Sequence, residues 1–219
     1  MRTLLGISIF IGCLFFTITI LGYFFWYQPR FASSKTSFKV NKDIIVGRGN
    51  SSFKKVKSRA FGLKKYCNRK KYNSSYCFMI DMGIPSGKQR FFVYNLKKDS
   101  IEMAGLVTHG AGSVTGSDEL FFSNETGSGC TSLGKYKIGK PYTGRFGLAY
   151  KLYGLENTNS KAFERFVVLH AHSCVPAREV YPLSICPSLG CPTVAPDFLQ
   201  KLTRIIDVSD SPILLEIYQ

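Results

Sequence analysis

FVVLHAHSCVPAREVYPLSICPSLGCPTV, residues 166–194, gathers two histidines, three cysteines and a Gly-Cys-Pro turn into one short stretch. Three chemistries compete for it. A metal centre would draw on His170, His172, Cys174, Cys186 and Cys191, and the two histidines would share one face of a strand. Their spacing fits none of the usual zinc patterns, no Cys-x-x-Cys pair is present, and no metal or other cofactor is expected. A disulfide would join Cys174 to Cys186 and close the loop between the histidine strand and the Cys turn, although spacing alone leaves the connectivity open. The third reading needs one activated thiol. Cys191 sits on a tight turn between Gly190 and Pro192 with a helix starting a few residues later. A neighbouring imidazole or a helix N-terminus stabilises the thiolate that attacks carbonyls. Gly190 lets backbone approach the reacting carbonyl, and amide N–H groups of such a turn can hold a developing oxyanion.

Working outward, PDFLQKLTRIID reads as a helix after the Cys turn and ILLEIY as a closing strand. Upstream, YCFMIDMGI, QRFFVYNLK and EMAGLVTHG are β-rich runs separated by Pro-Ser-Gly-Lys and Lys-Lys-Asp-Ser turn signals, and the last two form a hairpin. GKYKIG and GLAYKLYGL continue the pattern, and VVLHA is a buried strand. Many short strands with few helices predict a mainly β domain, a sandwich or open barrel with peripheral helices, over residues 76–219.

Residues 28–75 read as a basic linker and helical lead-in, with one helix over about 52–71. Lys and Arg outnumber Asp and Glu by 29 to 14, for a net charge of +15, and KVKSRAFGLKKYCNRKKY (55–72) concentrates the excess. Basic charge with interleaved aromatics suits nucleic acid. A solvated helix face attracting any polyanion explains it equally, so no nucleic-acid partner is expected. Residues 3–27, TLLGISIFIGCLFFTITILGYFFWY, carry no charge. That length exceeds the roughly 20 apolar residues that span a bilayer, so residues 1–27 are expected to be a membrane anchor contacting lipid, or a signal segment. Arg30, Lys35, Lys39 and Lys42 follow the run, a placement that by itself favours a cytoplasmic domain.

Five segments in one order carry a family resemblance: IDMGIPSGKQRFFVYNL (80–96), LVTHGAGS (106–113), FSNETGSGCTSLGKYKIGKPYTGRFGLAYKLYGLE (122–156), VVLHA (167–171) and SLGCPTV (188–194). Over roughly residues 76–195 the chain resembles the murein L,D-transpeptidase catalytic domains of bacterial peptidoglycan synthesis. The resemblance implies Cys191 as nucleophile, His170 as general base, and Ser188 and Gly190 as the turn that shapes the oxyanion site. It implies that His109, Tyr142 and Arg145 line the substrate cleft, Arg145 as a carboxylate ligand. Ala171 stands where the family has glycine, and His172 offers a second imidazole, so either histidine could serve the thiol. The implied reaction is acyl transfer through a thioester, from the third residue of a peptidoglycan tetrapeptide stem to a second stem. With water as acceptor it would be L,D-carboxypeptidation, and without turnover the domain would be a cell-wall-binding module. The resemblance also implies a domain on the extracytoplasmic or periplasmic face of the cell envelope, an oxidising place that favours the Cys174–Cys186 disulfide and requires Cys191 to stay free. It says nothing of oligomeric state.

Overall fold

Eight strands among the described residues hydrogen-bond into one sheet: β1 (Tyr76–Asp81), β2 (Phe91–Asn95), β3 (Ser100–Gly105), β4 (Gly134–Gly144), β5 (Gly147–Gly154), β6 (Val168–Ala171), β7 (Thr193–Val194) and β8 (Leu214–Tyr218). The computed structural model describes residues 50–116 and 119–219, together with Thr17, Ile20 and Leu21. Two helices accompany the strands, α1 (Asn50–Lys70) and α2 (Pro196–Ile206). Among the described residues no helix is long and apolar enough to cross a membrane. The expected anchor at 1–27 lies, apart from Thr17, Ile20 and Leu21, outside them.

The strand order is β3-β2-β1-β8-β4-β5-β6-β7. The β2–β3 hairpin is antiparallel, as its turn residues predict. The closing strand does not end at an edge: β8 inserts between β1, to which it runs parallel, and β4, to which it runs antiparallel. The chain just past one edge strand then meets the other edge. Val107, beyond β3, bridges Val194 of β7, and Thr108 N–H donates to Thr193 O at 2.9 Å. The mainly β class thus takes the form of a sheet that curls until its two edges join, the open-barrel alternative of the sequence reading.

Alternation along the strands decides what lies on each face. Phe78, Ile80, Phe91, Val93, Leu152, Leu169 and Leu215 enter the main core with Phe198, Leu199 and Leu202 of α2. Pro196 opens α2 at a position where its missing N–H costs nothing. Cys77, Met79, Phe92 and Tyr94 point the other way, onto α1. That helix carries Val56, Ala60, Leu63 and Cys67 on one stripe, each at most 2% exposed. Its basic residues are partly spent internally. Lys55 pairs with buried Asp81 at 3.1 Å, and Arg59 reaches buried Glu216 at 3.4 Å while lying 3.9 Å from the centre of the Tyr218 ring. The helix of the basic lead-in therefore packs on the sheet instead of standing apart.

Candidate active site

The site is built where β6 and β7 run side by side. Their parallel register pairs His170 with Thr193, so the histidine strand and the segment just after Cys191 are locked together. Thr193 Oγ1 lies 3.0 Å from His170 Nε2 in a buried contact. On the other side of the ring, Nδ1 lies 3.1 Å from Ala171 O. A carbonyl only accepts, so Nδ1 carries the proton and Nε2 accepts from the Thr193 hydroxyl. The imidazole is thereby fixed in the tautomer whose Nε2 lone pair faces the Cys191 segment.

Cys191 is held from the same strand. Val168 N–H, two residues before His170, donates to Sγ at 3.4 Å, and Sγ–H points to Phe166 O at 3.7 Å. Ser188 Oγ lies 2.7 Å from Cys191 O and accepts from Gly190 N–H at 3.1 Å, while Thr108 Oγ1 donates to Cys191 O at 3.1 Å. The turn is clipped onto the THGAGS segment through Ser188 N–H to His109 O (2.8 Å) and Ala111 N–H to Ser188 O (2.7 Å). Gly190 has φ +111°, and a Cβ there would meet Cys130 O at 2.6 Å, so glycine is required on both counts. Gly110 is equally confined, its missing Cβ falling 2.1 Å from Gly129 O. Ser188 and Gly190 do shape the turn, but the Gly190 N–H is consumed by Ser188. The Cys191 N–H has no partner among the described residues.

The two histidines are not equivalent. His170 is 7% exposed inside the site, whereas His172 lies past the strand end, exposed, with Nδ1 accepting from Cys174 N–H at 3.1 Å. Cys174 is disulfide-bonded to Cys186, and Cys191 is free. Burial pushes the His170 pKa down; the Ala171 carbonyl opposes this and His172 adds to it. Burial pushes the Cys191 thiol up, against the pull of the Val168 N–H and the Arg165 charge. Both directions favour the uncharged forms, a thiol at Cys191 and an imidazole at His170. Among the described residues Sγ has its hydrogen-bond contacts with Val168 N–H and Phe166 O, and the His170 ring has its own with Ala171 O and Thr193 Oγ1, so the two side chains are not hydrogen-bonded to each other.

The remaining sequence candidates lie on the 106–113 segment and on the β4–β5 hairpin. His109 is half-buried, and its Nδ1 accepts from Arg90 Nη2 at 2.9 Å. Burial and the Arg90 charge lower its pKa to about 4, leaving a neutral ring with Nε2–H as a donor. Tyr142 and Arg145 lie on the β4–β5 hairpin. Tyr142 pairs with Ala149, which in turn pairs with His170, and Arg145 sits 5.6 Å from the Phe146 ring. Among the described residues no group of three His, Cys, Asp or Glu side chains is placed to hold a metal.

Sequence reasoning missed four contributors. Thr193 holds the base, and Thr108 holds the Cys191 carbonyl. Phe146, at the hairpin tip, stacks on His170 with centroids 5.2 Å apart at 18° and meets His172 edge-on at 5.6 Å. Arg165 donates to Ser123 O at 2.9 Å and Cys130 O at 2.6 Å, securing the loop against which Gly190 packs. Arg165 lies five residues before His170 in the strand lead-in, a spacing that marks it as near the site. Nothing local in the sequence marks Thr193 or Phe146.

A family model for the L,D-transpeptidase catalytic domain matches residues 48–214. No curated protein matches the chain. Among solved structures it is similar to the helical cell shape determining protein Pgp2 of Campylobacter jejuni, in a single-residue variant, at 12% identity and TM-score 0.43, covering 67% of this chain and 48% of that one. It is also similar to an L,D-transpeptidase of Mycobacterium smegmatis at 10% identity and TM-score 0.38, covering 65% and 58%. A third is an L,D-transpeptidase of Xylanimonas cellulosilytica, at 14% identity and TM-score 0.35, covering 70% and 68%. The chain therefore spans only about half the length of the first of these.

Proposed function

The chain belongs to the L,D-transpeptidase catalytic domain family, and from that premise we propose that it is a cysteine-dependent peptidoglycan L,D-transpeptidase. The observation that carries the residue roles is the parallel pairing of His170 with Thr193. It supports the reading by tying the strand that carries the oriented His170 imidazole to the segment that follows the free Cys191 thiol.

In the proposed reaction the substrate is a tetrapeptide stem. Cys191 Sγ attacks the carbonyl joining the third residue to the terminal D-alanine, and the thiol proton passes to His170 Nε2. Catalytic hydrogen bonds in ligand-free sites are often long and tighten with substrate, and Nε2 exchanges its Thr193 contact for the thiol at that moment. The tetrahedral oxyanion accepts from Cys191 N–H, and the neutral Nε2–H of His109 is assigned as a second donor. Collapse breaks the C–N bond, and His170 returns its proton to the departing D-alanine amine, leaving a thioester. The side-chain amine of a second stem then resolves the thioester, giving a cross-link between two third residues. Water in its place gives a tripeptide stem. Arg145 is assigned to a stem carboxylate, for which its guanidinium fork is suited. The substrate places the domain on the extracytoplasmic face of the envelope, held there by residues 3–27.

The experiment is turnover of disaccharide-tetrapeptide by wild type and Cys191→Ala, resolved by mass. Cross-linked dimers from the wild type alone support the transpeptidase. Tripeptides without dimers reassign it as an L,D-carboxypeptidase, and no product from a folded protein with a free thiol leaves a binding module.

A further inference from the structure

His170 shares its sheet face with a run of lysines and aromatic rings that the proposed chemistry does not use. Pairing puts His170 beside Ala149 and Val168 beside Lys151, so these side chains project to one side, while Leu169, Tyr150 and Leu152 enter the core on the other. Continuing across β5 and β4, Lys137 pairs with Tyr153 and Tyr142 with Ala149 on the His170 side. The rings and ammonium groups interleave. Lys151 lies 5.7 Å from the Tyr142 ring centre and 5.1 Å from that of Phe163. Phe163 stacks on Tyr153 at 5.3 Å and 12°, and Lys137 lies 4.6 Å from the Tyr153 ring. Phe163 is 50% exposed and Tyr142 37%. Among the described residues neither Lys137 nor Lys151 has a carboxylate partner, in contrast to Lys55, Lys135 and Lys161. The ladder opens into a groove of about 880 Å³, whose far wall carries Asp207 and Asp210, the former bonded to Tyr150 OH at 2.8 Å.

Flat aromatic faces alternating with unpaired ammonium groups match a ligand that alternates apolar faces with anionic groups. We infer that this β4–β5 face is a subsite for a peptide-bearing glycan strand, with pyranose C–H faces on Tyr153 and Phe163 and the carboxylates of the strand's peptide stems on Lys137 and Lys151. The inference rests on the proposed substrate, since a glycan strand whose stem reaches Cys191 passes beside His170. The ladder leads away from that point along the same sheet face. A wall of like charge attracts such a strand, and the two acids opposite confine its carboxylates to the lysine side.

The test reads binding without turnover. Cys191→Ala protein is sedimented with purified peptidoglycan sacculi stripped of covalently attached protein and anionic polymer, at two salt concentrations. In that background, Lys137→Ala/Lys151→Ala and Tyr153→Ala/Phe163→Ala are each expected to weaken binding about tenfold, as loss of paired cationic and stacking contacts would. Lys64→Ala/Lys70→Ala on α1 removes the same charge elsewhere and is expected to leave binding within about twofold. Equal loss from the α1 pair, or no loss from the ladder variants, overturns the subsite. Capture on phosphatidylglycerol vesicles that depends on the ladder, without capture on sacculi, also overturns it and assigns the face to an anionic lipid surface. Because no turnover is needed, failure of the wild type to process stems would defeat the proposed reaction and leave this result standing.

Discussion

At the β2–β1–β8 end of the sheet both faces are covered, one by the main core and one by α1, and every residue of β2 and β8 is buried. At the β5–β6–β7 end the inner face enters the same core, but the outer face meets the 188–191 turn, a hairpin tip bearing Phe146 and the half-exposed Phe163 ring. The same strand grammar serves both ends. The difference is what is laid over the outer face: a helix whose apolar stripe seals it, or a polar turn that leaves a thiol and an imidazole within reach of a ligand. Cysteines show the consequence. Burial raises the Cys67 thiol to about 11 and pushes Cys77 well above the ordinary thiol range, and both lie buried between α1 and the sheet. Cys191 is also raised by burial, yet it is partly exposed. On the proposed reading its reactivity would come from access and from His170 as base, not from a low resting pKa.

The largest expected effect separates the two imidazoles. His170→Ala should lower kcat/KM by about 10²–10⁴, the usual range for a general base, while His172→Ala should change it less than about threefold. The reverse ranking in steady-state assays would move the base past the strand end and dissolve the significance of the His170–Thr193 register. At the sealed end, Leu63→Ala should cost about 2–5 kcal/mol of stability in urea unfolding, as buried leucine deletions do. It should leave kcat unchanged at temperatures where the variant is folded. A parallel loss of kcat would mean that α1 supports the chemistry as well as the sheet.

Thr193→Val keeps shape and removes the hydroxyl that orients Nε2, so a loss of about tenfold in kcat is expected, equivalent to one hydrogen bond of roughly 1.4 kcal/mol. Unchanged kcat would show that the Ala171 carbonyl orients the ring alone. The smallest effect is on pH. A lowered His170 pKa keeps the base unprotonated through neutrality, so kcat/KM should fall only as pH drops below the ordinary imidazole range. His172 contributes to that lowering through its charge, so His172→Gln should move the acid limb to higher pH. A limb that stays put would place the two rings out of electrostatic contact.

Much of this contrast was legible in the chain. The β2–β3 hairpin, α2 and the closing strand follow from local patterns and turn residues, whereas the Cys174–Cys186 bridge was one open pairing that the family resemblance favoured and the structure contains. A thiol on a Gly-Cys-Pro turn and a histidine on a buried strand drew attention to Cys191, Gly190 and His170, but their roles and that of Ser188 came from the family resemblance of five segments in order. What stayed hidden depends on distant pairing. Nothing near 214–218 says that β8 would run parallel to β1 in the middle of the sheet, and nothing near 193 says that its hydroxyl would reach a ring 23 residues earlier. The helix of the lead-in showed its positive charge more clearly than its four-residue apolar stripe, because the acids that neutralise it, Asp81 and Glu216, lie on β1 and β8.

The central claim is that Cys191 becomes acylated with His170 as its base. Intact mass spectrometry of residues 28–219 incubated with disaccharide-tetrapeptide tests it most directly. The account predicts an adduct equal to the substrate less D-alanine, mapped to Cys191, formed far more slowly in His170→Ala and absent in Cys191→Ala. An adduct on another residue, or D-alanine release that persists in Cys191→Ala, would contradict it.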